Sequence, residues 1–242
     1  MFRLKTTVAG FLTLVLMTQA NAQTEPEMVQ LPAACIEVGS LLMQHHANPL
    51  RETCLDSFSI GRYEVTFLEY DQFTEDTGRA KRHDIGFGRE DRPVIDVDWF
   101  EAAAYAEWLS DKTGKRYRLP TDAEWEYAAR GHAEIGYRFS WGRELEVNRA
   151  NCRNCGSQWS GQMTSPVGSF DPNVFGLYDM HGNVWEWTSD CYRTDTNDNN
   201  CGGVVRGGSW DTQTDQLVFW LRASYLRGKS ARDVGFRLVL EH

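Results

Sequence analysis

The pattern of apolar and polar positions divides the chain into a helical first half and an irregular second half. Three segments in the first half begin with an N-cap residue three positions before a glutamate: Thr66 before Glu69, Asp98 before Glu101, and Thr121 before Glu124. The second segment also repeats Trp99, Ala102, Ala106 and Leu109 at the spacing of one helix face. Glycine tolerates the left-handed conformation of a helix C-cap, so Gly78, Gly114 and Gly131 predict the three C-terminal ends.

Extended segments are fewer and shorter. The runs Phe58 to Val65 and Tyr117 to Leu119 predict strands, and short extended runs recur at Val204-Val205 and from Gly235 to Leu240. After Gly131 the helical period disappears, and the chain becomes rich in Gly, Asn, Asp and Trp. We find no internal repeat or linker, which predicts a single α+β domain. Buried irregular backbone must find hydrogen-bond partners and needs support, and disulfides, bound metal ions or Trp-anchored turns can brace it.

The N-terminus has the pattern of a secretory signal. Arg3 and Lys5 precede an apolar run from Val8 to Met17, and small residues follow up to Ala22. The pattern predicts cleavage near Ala22, a secreted or periplasmic protein, and one mature domain over residues 23–242. The apolar run is too short to cross a bilayer, so membrane insertion is not expected.

Charge and cysteine content follow from that export. The leader contains two basic and no acidic residues, so the net charge changes from −9 for the whole chain to −11 for the mature part. An acidic chain argues against nucleic acid as a partner, because phosphate neutralisation requires clustered Lys and Arg. All six cysteines lie in the mature part, and an even number in an exported chain predicts disulfides.

The Cys152-Arg153-Asn154-Cys155 motif allows three interpretations. It lacks the second pair that a zinc site needs, and it lacks the strand-to-helix setting that activates a redox thiol. A local disulfide that braces a loop is the interpretation we favour. The predicted pairings are Cys35–Cys54, Cys152–Cys155 and Cys191–Cys201.

A second constellation runs from Asp179 to Trp187. Asp179 and Glu186 flank a Gly182-Asn183 turn, and calcium prefers a mixture of carboxylate and main-chain oxygens in such loops. The alternative is an Asp/Asn turn that is held by buried tryptophans without an ion. Spacing alone does not choose between them.

Four segments together resemble the formylglycine-generating enzyme, or sulfatase-modifying factor, family. They are Tyr63-Glu64-Val65-Thr66, residues 118–131 (RLPTDAEWEYAARG), residues 175–187 (FGLYDMHGNVWEW), and Arg206-Gly207-Gly208-Ser209-Trp210 followed by Gly235-Phe236-Arg237. Their order and spacing match the family over about residues 38–242. The resemblance implies a C-type-lectin-like fold with little regular secondary structure.

The resemblance also implies metal sites. In the family, calcium is bound at positions that match Asp179, Gly182, Val184 and Glu186. A second calcium site begins at the position of Asn151, but its acidic partner is not recognisable in Trp159-Ser160-Gly161. The family binds copper through two cysteines whose positions are taken here by Thr212 and Leu217. Thiolates suit Cu(I) and neither replacement supplies one, so formylglycine generation through copper is not expected.

Two functions remain open. The first is an exported, divergent oxidoreductase that acts on a peptide-like or metabolite substrate, similar to the family branch in siderophore maturation. Its expected site consists of Ser209, Trp210 and Arg222, with Arg232 or Asp233 at the rim and acid or base help from Asp211, Asp215 or Asp233. The second is a non-catalytic, lectin-like binding or accessory module in which Trp210 and Trp220 stack on a ligand.

Overall fold

The computed structural model describes residues 25–40, 50–134, 136–192 and 201–242. The leader predicted for residues 1–22 lies outside this part of the chain. No helix within these ranges is long and apolar enough to cross a membrane.

The three predicted helices are confirmed. They are α1 (Phe67–Thr77), α2 (Trp99–Thr113) and α3 (Asp122–Arg130). Each begins at its predicted N-cap with a complete capping box, in which the cap side chain accepts from the glutamate N–H and the glutamate accepts from the cap N–H. The predicted glycines end all three helices, and Gly78 and Gly114 adopt the left-handed conformation.

Short strands supply the rest of the regular structure. They are β1 (Met28–Leu31), β2 (Ala34–Val38), β3 (Arg51–Leu55), β4 (Phe58–Gly61), β5 (Tyr117–Arg118), β6 (Trp185–Cys191), β7 (Gly202–Arg206), β8 (Arg222–Leu226), β9 (Val234–Gly235) and β10 (Val239–Leu240). The predicted strand over residues 58–65 is shorter than expected. The single run predicted over residues 235–240 falls into two strands that belong to different sheets.

Three sheets organise these strands. The first has the order β1-β4-β10-β5 and is antiparallel, with Val239 opposite both Ile60 and Arg118. The second is the β2-β3 hairpin, in which Cys35 lies opposite Cys54. The third has the order β8-β7-β6-β9, and its only parallel pair among the described strands is β6 with β9. The C-terminal strand β10 therefore lies between β4 and β5, and the first and last strands of the described chain belong to the same sheet.

One aromatic core joins the helices to the sheets. Its largest fully buried aromatic side chains are Trp125, Trp187, Tyr70, Tyr105, Phe67, Phe73 and Phe236. Tyr105 stacks on Tyr70 and meets Phe236 edge to face, so α1, α2 and the C-terminal segment pack together. A smaller cluster of Phe139, Ala150, Cys152, Cys155 and Leu217 lies under the irregular segment.

The irregular second half relies on side chains to satisfy its backbone. The described residues between α3 and β6 form only isolated bridges. The Asn173 carboxamide oxygen accepts from the N–H groups of Phe175 and Leu177, and the Asn183 carboxamide oxygen accepts from Ser165 N–H at 2.8 Å. These bonds replace the ladders that regular structure would provide.

Three disulfides brace the fold, and they join the pairs expected from the sequence. Cys35–Cys54 links the β2-β3 hairpin, Cys152–Cys155 closes a loop in the small cluster, and Cys191–Cys201 links the end of β6 to the residue before β7. None of the described cysteines is free.

Candidate functional site

A double-glycine turn after β7 forms the centre of the candidate site. Gly207 and Gly208 both have positive φ angles, of 92° and 80°, which only glycine adopts readily. A Cβ on Gly207 would lie 3.0 Å from the Trp125 ring, so the turn also needs its close approach to the core. The turn reverses the chain and directs Ser209 into the interior, while Trp210 N–H donates to Asn183 O at 2.8 Å.

Ser209 is fully buried in a small polar cluster. Its N–H donates to the Thr212 hydroxyl at 2.8 Å, and its own hydroxyl lies 3.2 Å from that hydroxyl. The Ser209 hydroxyl also donates to Asp233 Oδ2 at 3.3 Å. Burial raises the pKa of Asp233, and the bond from Ser209 partly offsets this. The structure thus selects Asp233 as the carboxyl group that contacts Ser209.

Trp210 lies beneath the surface beside Ser209. The Phe87 ring meets it edge to face at 5.3 Å, and the Arg232 guanidinium lies over its ring at 5.1 Å. Its indole N–H is buried and has no acceptor among the described residues. Trp210 therefore cannot stack on a ligand unless Arg232 or Phe87 moves.

Arg222 belongs to a different network. Its guanidinium pairs with Asp122 at 3.1 Å. Arg206, which is fully buried, pairs with the same Asp122 and with Glu126 at 2.9 Å. Ser209 and Trp210 are consecutive in the turn, whereas Arg222 lies apart from them, among these ion pairs of α3, β7 and β8.

The two positions that match the family's copper ligands converge on Gly208. A Cβ at Gly208 would lie 2.8 Å from Leu217 Cδ1 and 3.3 Å from Thr212 Cγ2. Thr212 uses its hydroxyl to hold Ser209, and Leu217 is fully buried in the small cluster with the Cys152–Cys155 disulfide. A hydroxyl and an aliphatic side chain do not make a thiolate site, so these residues do not fit copper.

A second constellation is an acidic cluster around Arg237. The guanidinium binds both oxygens of Glu186 at 2.7 Å and donates to the backbone oxygens of Gly61 and Tyr178. Trp125 donates to Glu186 at 2.7 Å as well. Glu186 is fully buried and both its oxygens have partners, so its carboxylate stabilises Arg237 rather than presenting a free ligand.

Two further carboxyl groups lie close to this ion pair. Asp179 accepts from Gly168 N–H at 2.7 Å, and burial raises its pKa to about 6. Glu64 is buried, its Oε2 accepts from the Asn183 amide at 3.2 Å, and its Oε1 has no partner. Burial and the nearby Asp179 and Glu186 raise the pKa of Glu64 well above its usual value.

The residues predicted to bind calcium do not form one ligand set here, because Glu186 is engaged by Arg237. The unpartnered oxygen of Glu64 and the Asp179 carboxylate supply hard oxygen ligands, and Gly182 and Val184 lie in the intervening turn. No described group of three or more His, Cys, Asp and Glu residues is arranged around one metal position. An ion here would depend on two carboxylates together with backbone oxygens.

Asn151, the predicted start of a second calcium site, is already satisfied. Its carboxamide oxygen accepts from the Ser157 hydroxyl at 3.0 Å, and its amide donates to Met163 O at 2.9 Å. Its backbone oxygen accepts from Asn183 N–H, so Asn151 links two irregular loops. The side chain acts as a structural bridge in this arrangement.

Sequence reasoning missed the roles of Glu64 and His181. Glu64 lies in the Tyr63-Glu64-Val65-Thr66 motif between β4 and α1, and a charged residue inside a run predicted as a strand was the available signal. His181 is buried, Ser140 N–H donates to its Nε2 at 3.1 Å, and its Nδ1 donates to Leu217 O at 3.2 Å. Burial lowers the pKa of His181 to about 4, so the ring is neutral at pH 7.

Trp220 lines a separate cavity of about 260 Å³. Phe219 meets it edge to face at 4.9 Å, and Tyr137 forms part of the same wall. Its indole N–H is buried without an acceptor among the described residues. The two tryptophans named from the sequence therefore lie in different surroundings.

Comparison with known proteins identifies relatives over most of the chain. The sulfatase-modifying factor enzyme 1-like domain matches residues 14–242. The chain is 28% identical to the formylglycine-generating enzyme of Bos taurus over 290 aligned residues, which cover 89% of this chain and 75% of that protein.

Two other relatives add to the comparison. Over 136 residues the chain is 40% identical to the inactive C-alpha-formylglycine-generating enzyme 2 of Bos taurus, a match that covers 51% of this chain and only 40% of that protein. The structure of PvdO from Pseudomonas aeruginosa is similar with a TM-score of 0.78 and 30% identity, and the match covers 91% of this chain and 96% of that one.

Proposed function

We propose that this chain, which belongs to the sulfatase-modifying factor enzyme 1-like domain family, acts on a peptide-like or small-metabolite substrate without thiolate-bound copper. The observation that carries this proposal is the convergence of Thr212 and Leu217 on Gly208 beside Ser209. The turn and its buried serine match the family, Asp233 adjoins that serine, and Thr212 and Leu217 stand at the positions of the metal-binding thiols.

Export fits the same proposal. Three disulfides brace the fold, and such bonds persist in secreted and periplasmic proteins. We therefore place the site outside the cytoplasm, where its substrate would be an exported peptide or metabolite.

The chemistry available at the site is proton transfer and orientation. Asp233 accepts from the Ser209 hydroxyl, and Thr212 fixes both the backbone and the side chain of Ser209. A carboxyl group with a raised pKa next to a hydroxyl can hold or release a proton during a reaction. Thr212 and Leu217 bind no redox metal, so a redox step would need an electron acceptor bound elsewhere.

Complementation of a deletion strain tests this proposal. Small molecules and peptides of the exported fraction are compared between the strain lacking the gene and strains that express wild type, Ser209→Ala or Asp233→Asn. We expect a precursor to accumulate in the deletion strain, wild type to remove it, and the two variants to fail although they are exported at normal levels. Full complementation by both variants would refute a reaction at Ser209.

A copper assay tests whether the chain generates formylglycine through copper, which the proposal excludes. The purified protein is incubated with Cu(I) and a cysteine peptide of the sulfatase type, and aldehyde formation is followed by mass spectrometry. We expect no aldehyde, because Thr212 and Leu217 supply no thiolate. Turnover at the rate of a parallel formylglycine-generating enzyme would contradict the assignment.

A non-catalytic binding module is the second candidate. The observation that favours it is the closure of the site, because Ser209 is fully buried and Trp210 is covered by Phe87 and Arg232. The similarity to a relative named as inactive supports the same view. This function predicts that Ser209→Ala complements fully and that ligand binding persists without turnover.

We also propose a structural calcium ion bound by Glu64 and Asp179 with backbone oxygens of the Gly182–Val184 turn. The ion would neutralise the two carboxylates and hold the Gly182–Val184 turn, in which Asn183 O accepts from Trp210 N–H. Thermal melts with calcium and with chelator test this, since an ion bound only to the native state raises Tm. We expect calcium to raise Tm for wild type and for the exposed control Glu107→Gln. Loss of this shift in Glu64→Gln is expected, and an unchanged shift would refute the role of Glu64.

A further inference from the structure

Two guanidinium groups cover the buried Ser209–Trp210 turn. Arg232 lies over the Trp210 ring at 5.1 Å. Arg153 donates through Nε to Asp211 Oδ1 at 3.0 Å, and its backbone N–H donates to Thr212 O at 2.9 Å. The loop that carries Arg153 is therefore fastened to the turn, and both arginines stand at its solvent side.

The two arginines are held with different strength. Arg153 makes two contacts with Asp211 through Nε and a terminal nitrogen. Arg232 reaches the other oxygen of Asp211 only at 3.7 Å, and 64% of its side chain is exposed. A distance of 3.7 Å is beyond a hydrogen bond, so Asp211 does not occupy the guanidinium of Arg232, and the largely exposed side chain is accessible to a ligand.

The surface above the Ser209–Trp210 turn presents positive charge to solvent. The side chains of Arg153 and Arg232 are 44% and 64% exposed, whereas the Asp211 side chain between them is 27% exposed. The other carboxyl group, Asp233, is directed towards Ser209 below the surface. This positive rim is a local exception in a chain with a net charge of −9, so it does not follow from the general composition.

Hydrogen-bond donors are also in excess at this place. The Trp210 indole N–H is buried and has no described acceptor, and it lies under the guanidinium of Arg232. A planar carboxylate accepts two parallel N–H bonds from one guanidinium, a geometry that neither an amide nor a hydroxyl reproduces. An anionic ligand would thus meet the exposed guanidinium of Arg232, while the rim carboxylate of Asp211 already accepts from Arg153.

We propose that Arg232, supported by Arg153 through Asp211, binds a carboxylate of the substrate at the entrance to the Ser209 turn. This inference rests on the proposed function, because it assigns a substrate class to the same site. Binding would draw Arg232 away from the Trp210 ring, so recognition of the carboxylate would also uncover the turn.

Matched peptide probes test the inference. Acetyl-alanyl-alanine and its C-terminal amide differ only in the carboxylate, and each is titrated at constant ionic strength while tryptophan fluorescence is recorded. We expect the acid to bind wild type about tenfold more tightly than the amide, in line with one charge-assisted pair. Arg232→Gln should lose that preference, while the exposed control Arg116→Gln should retain it.

The possible results separate the two proposals. Equal binding of acid and amide to wild type would overturn the carboxylate inference and leave a peptide-binding site in place. Absence of binding by both probes would overturn the inference and count against a peptide-like substrate. An equal loss in Arg232→Gln and Arg116→Gln would show a general charge effect and would also overturn it. Because Arg232 is mostly exposed, its variant should fold, which a thermal melt verifies.

Discussion

Replacing Arg237 tests whether Glu186 serves the ion pair or a metal. The guanidinium is fully buried and binds both Glu186 oxygens as well as the backbone oxygens of Gly61 and Tyr178. Arg237→Met keeps much of the side-chain volume but leaves the Glu186 carboxylate buried without its cation. Removing one partner of a buried pair costs about 3–5 kcal/mol.

The expected loss is large enough to measure in a thermal melt. For a domain of this size each kcal/mol moves Tm by about 2–4 °C, so Arg237→Met should melt about 6–20 °C below wild type. The double variant Glu186→Gln with Arg237→Met removes both charges and should recover part of this loss. The carboxamide oxygen that replaces the carboxylate can still accept from the Trp125 indole, which donates to Glu186 in the wild type.

Two results would refute this reasoning. Arg237 is not the main partner of Glu186 if Arg237→Met lowers the free energy of unfolding by less than about 1 kcal/mol. The same conclusion follows if the double variant is no more stable than the single variant. If calcium restores Arg237→Met to the stability of wild type, Glu186 is a metal ligand. Melts of all variants in chelator and in calcium distinguish these cases.

Three other predictions concern the loops. Gly182→Ala should strongly lower the free energy of unfolding measured by urea denaturation, because φ is +94° and a Cβ would overlap Asn151 O. Gly176 has a similar φ but open space around it, so Gly176→Ala should lower the free energy of unfolding much less. The pKa of the buried His181 is about 4, against 6.5 in the unfolded chain. Between these values the unfolded ring takes up a proton that the buried ring does not, so the free energy of unfolding should fall by about 3 kcal/mol as the pH drops from 6.5 to 4. The difference in free energy of unfolding between wild type and His181→Gln, measured over this pH range, should show the same slope. Replacing both cysteines of Cys152–Cys155 with Ala should cost about 2 kcal/mol by chain entropy for so short a loop, and a loss above about 5 kcal/mol would indicate a larger role.

The helices could be predicted residue by residue because their signals are local. Thr66 and Glu69 are three positions apart and satisfy each other's neighbouring N–H groups, and Gly78 ends the helix by its own conformational freedom. Neither depends on the rest of the fold. The Cys152–Cys155 pair followed from its short separation and the exported context, and Cys191–Cys201 from the polar loop between them.

Strand assignment was less successful because strands depend on distant partners. β6 contains Trp185 and Glu186, a segment whose residues predict only the end of a turn. Its partner β7 begins at Gly202, after an intervening loop, and its other partner β9 begins only at Val234. The run over residues 235–240 looked continuous, yet β9 pairs with β6 and β10 pairs with β4 and β5.

By itself the sequence determined the family, the helix ends, the cysteine pairing and the replacement of both copper ligands by Thr212 and Leu217. These properties depend on residue identity and short spacing, which a chain carries before it folds. Only the tertiary structure decided that Glu186 binds Arg237, that Glu64 has a free oxygen beside Asp179, and that Arg222 pairs with Asp122. A carboxylate's role depends on which cation reaches it in space, and Glu186 and Arg237 are 51 residues apart in the chain.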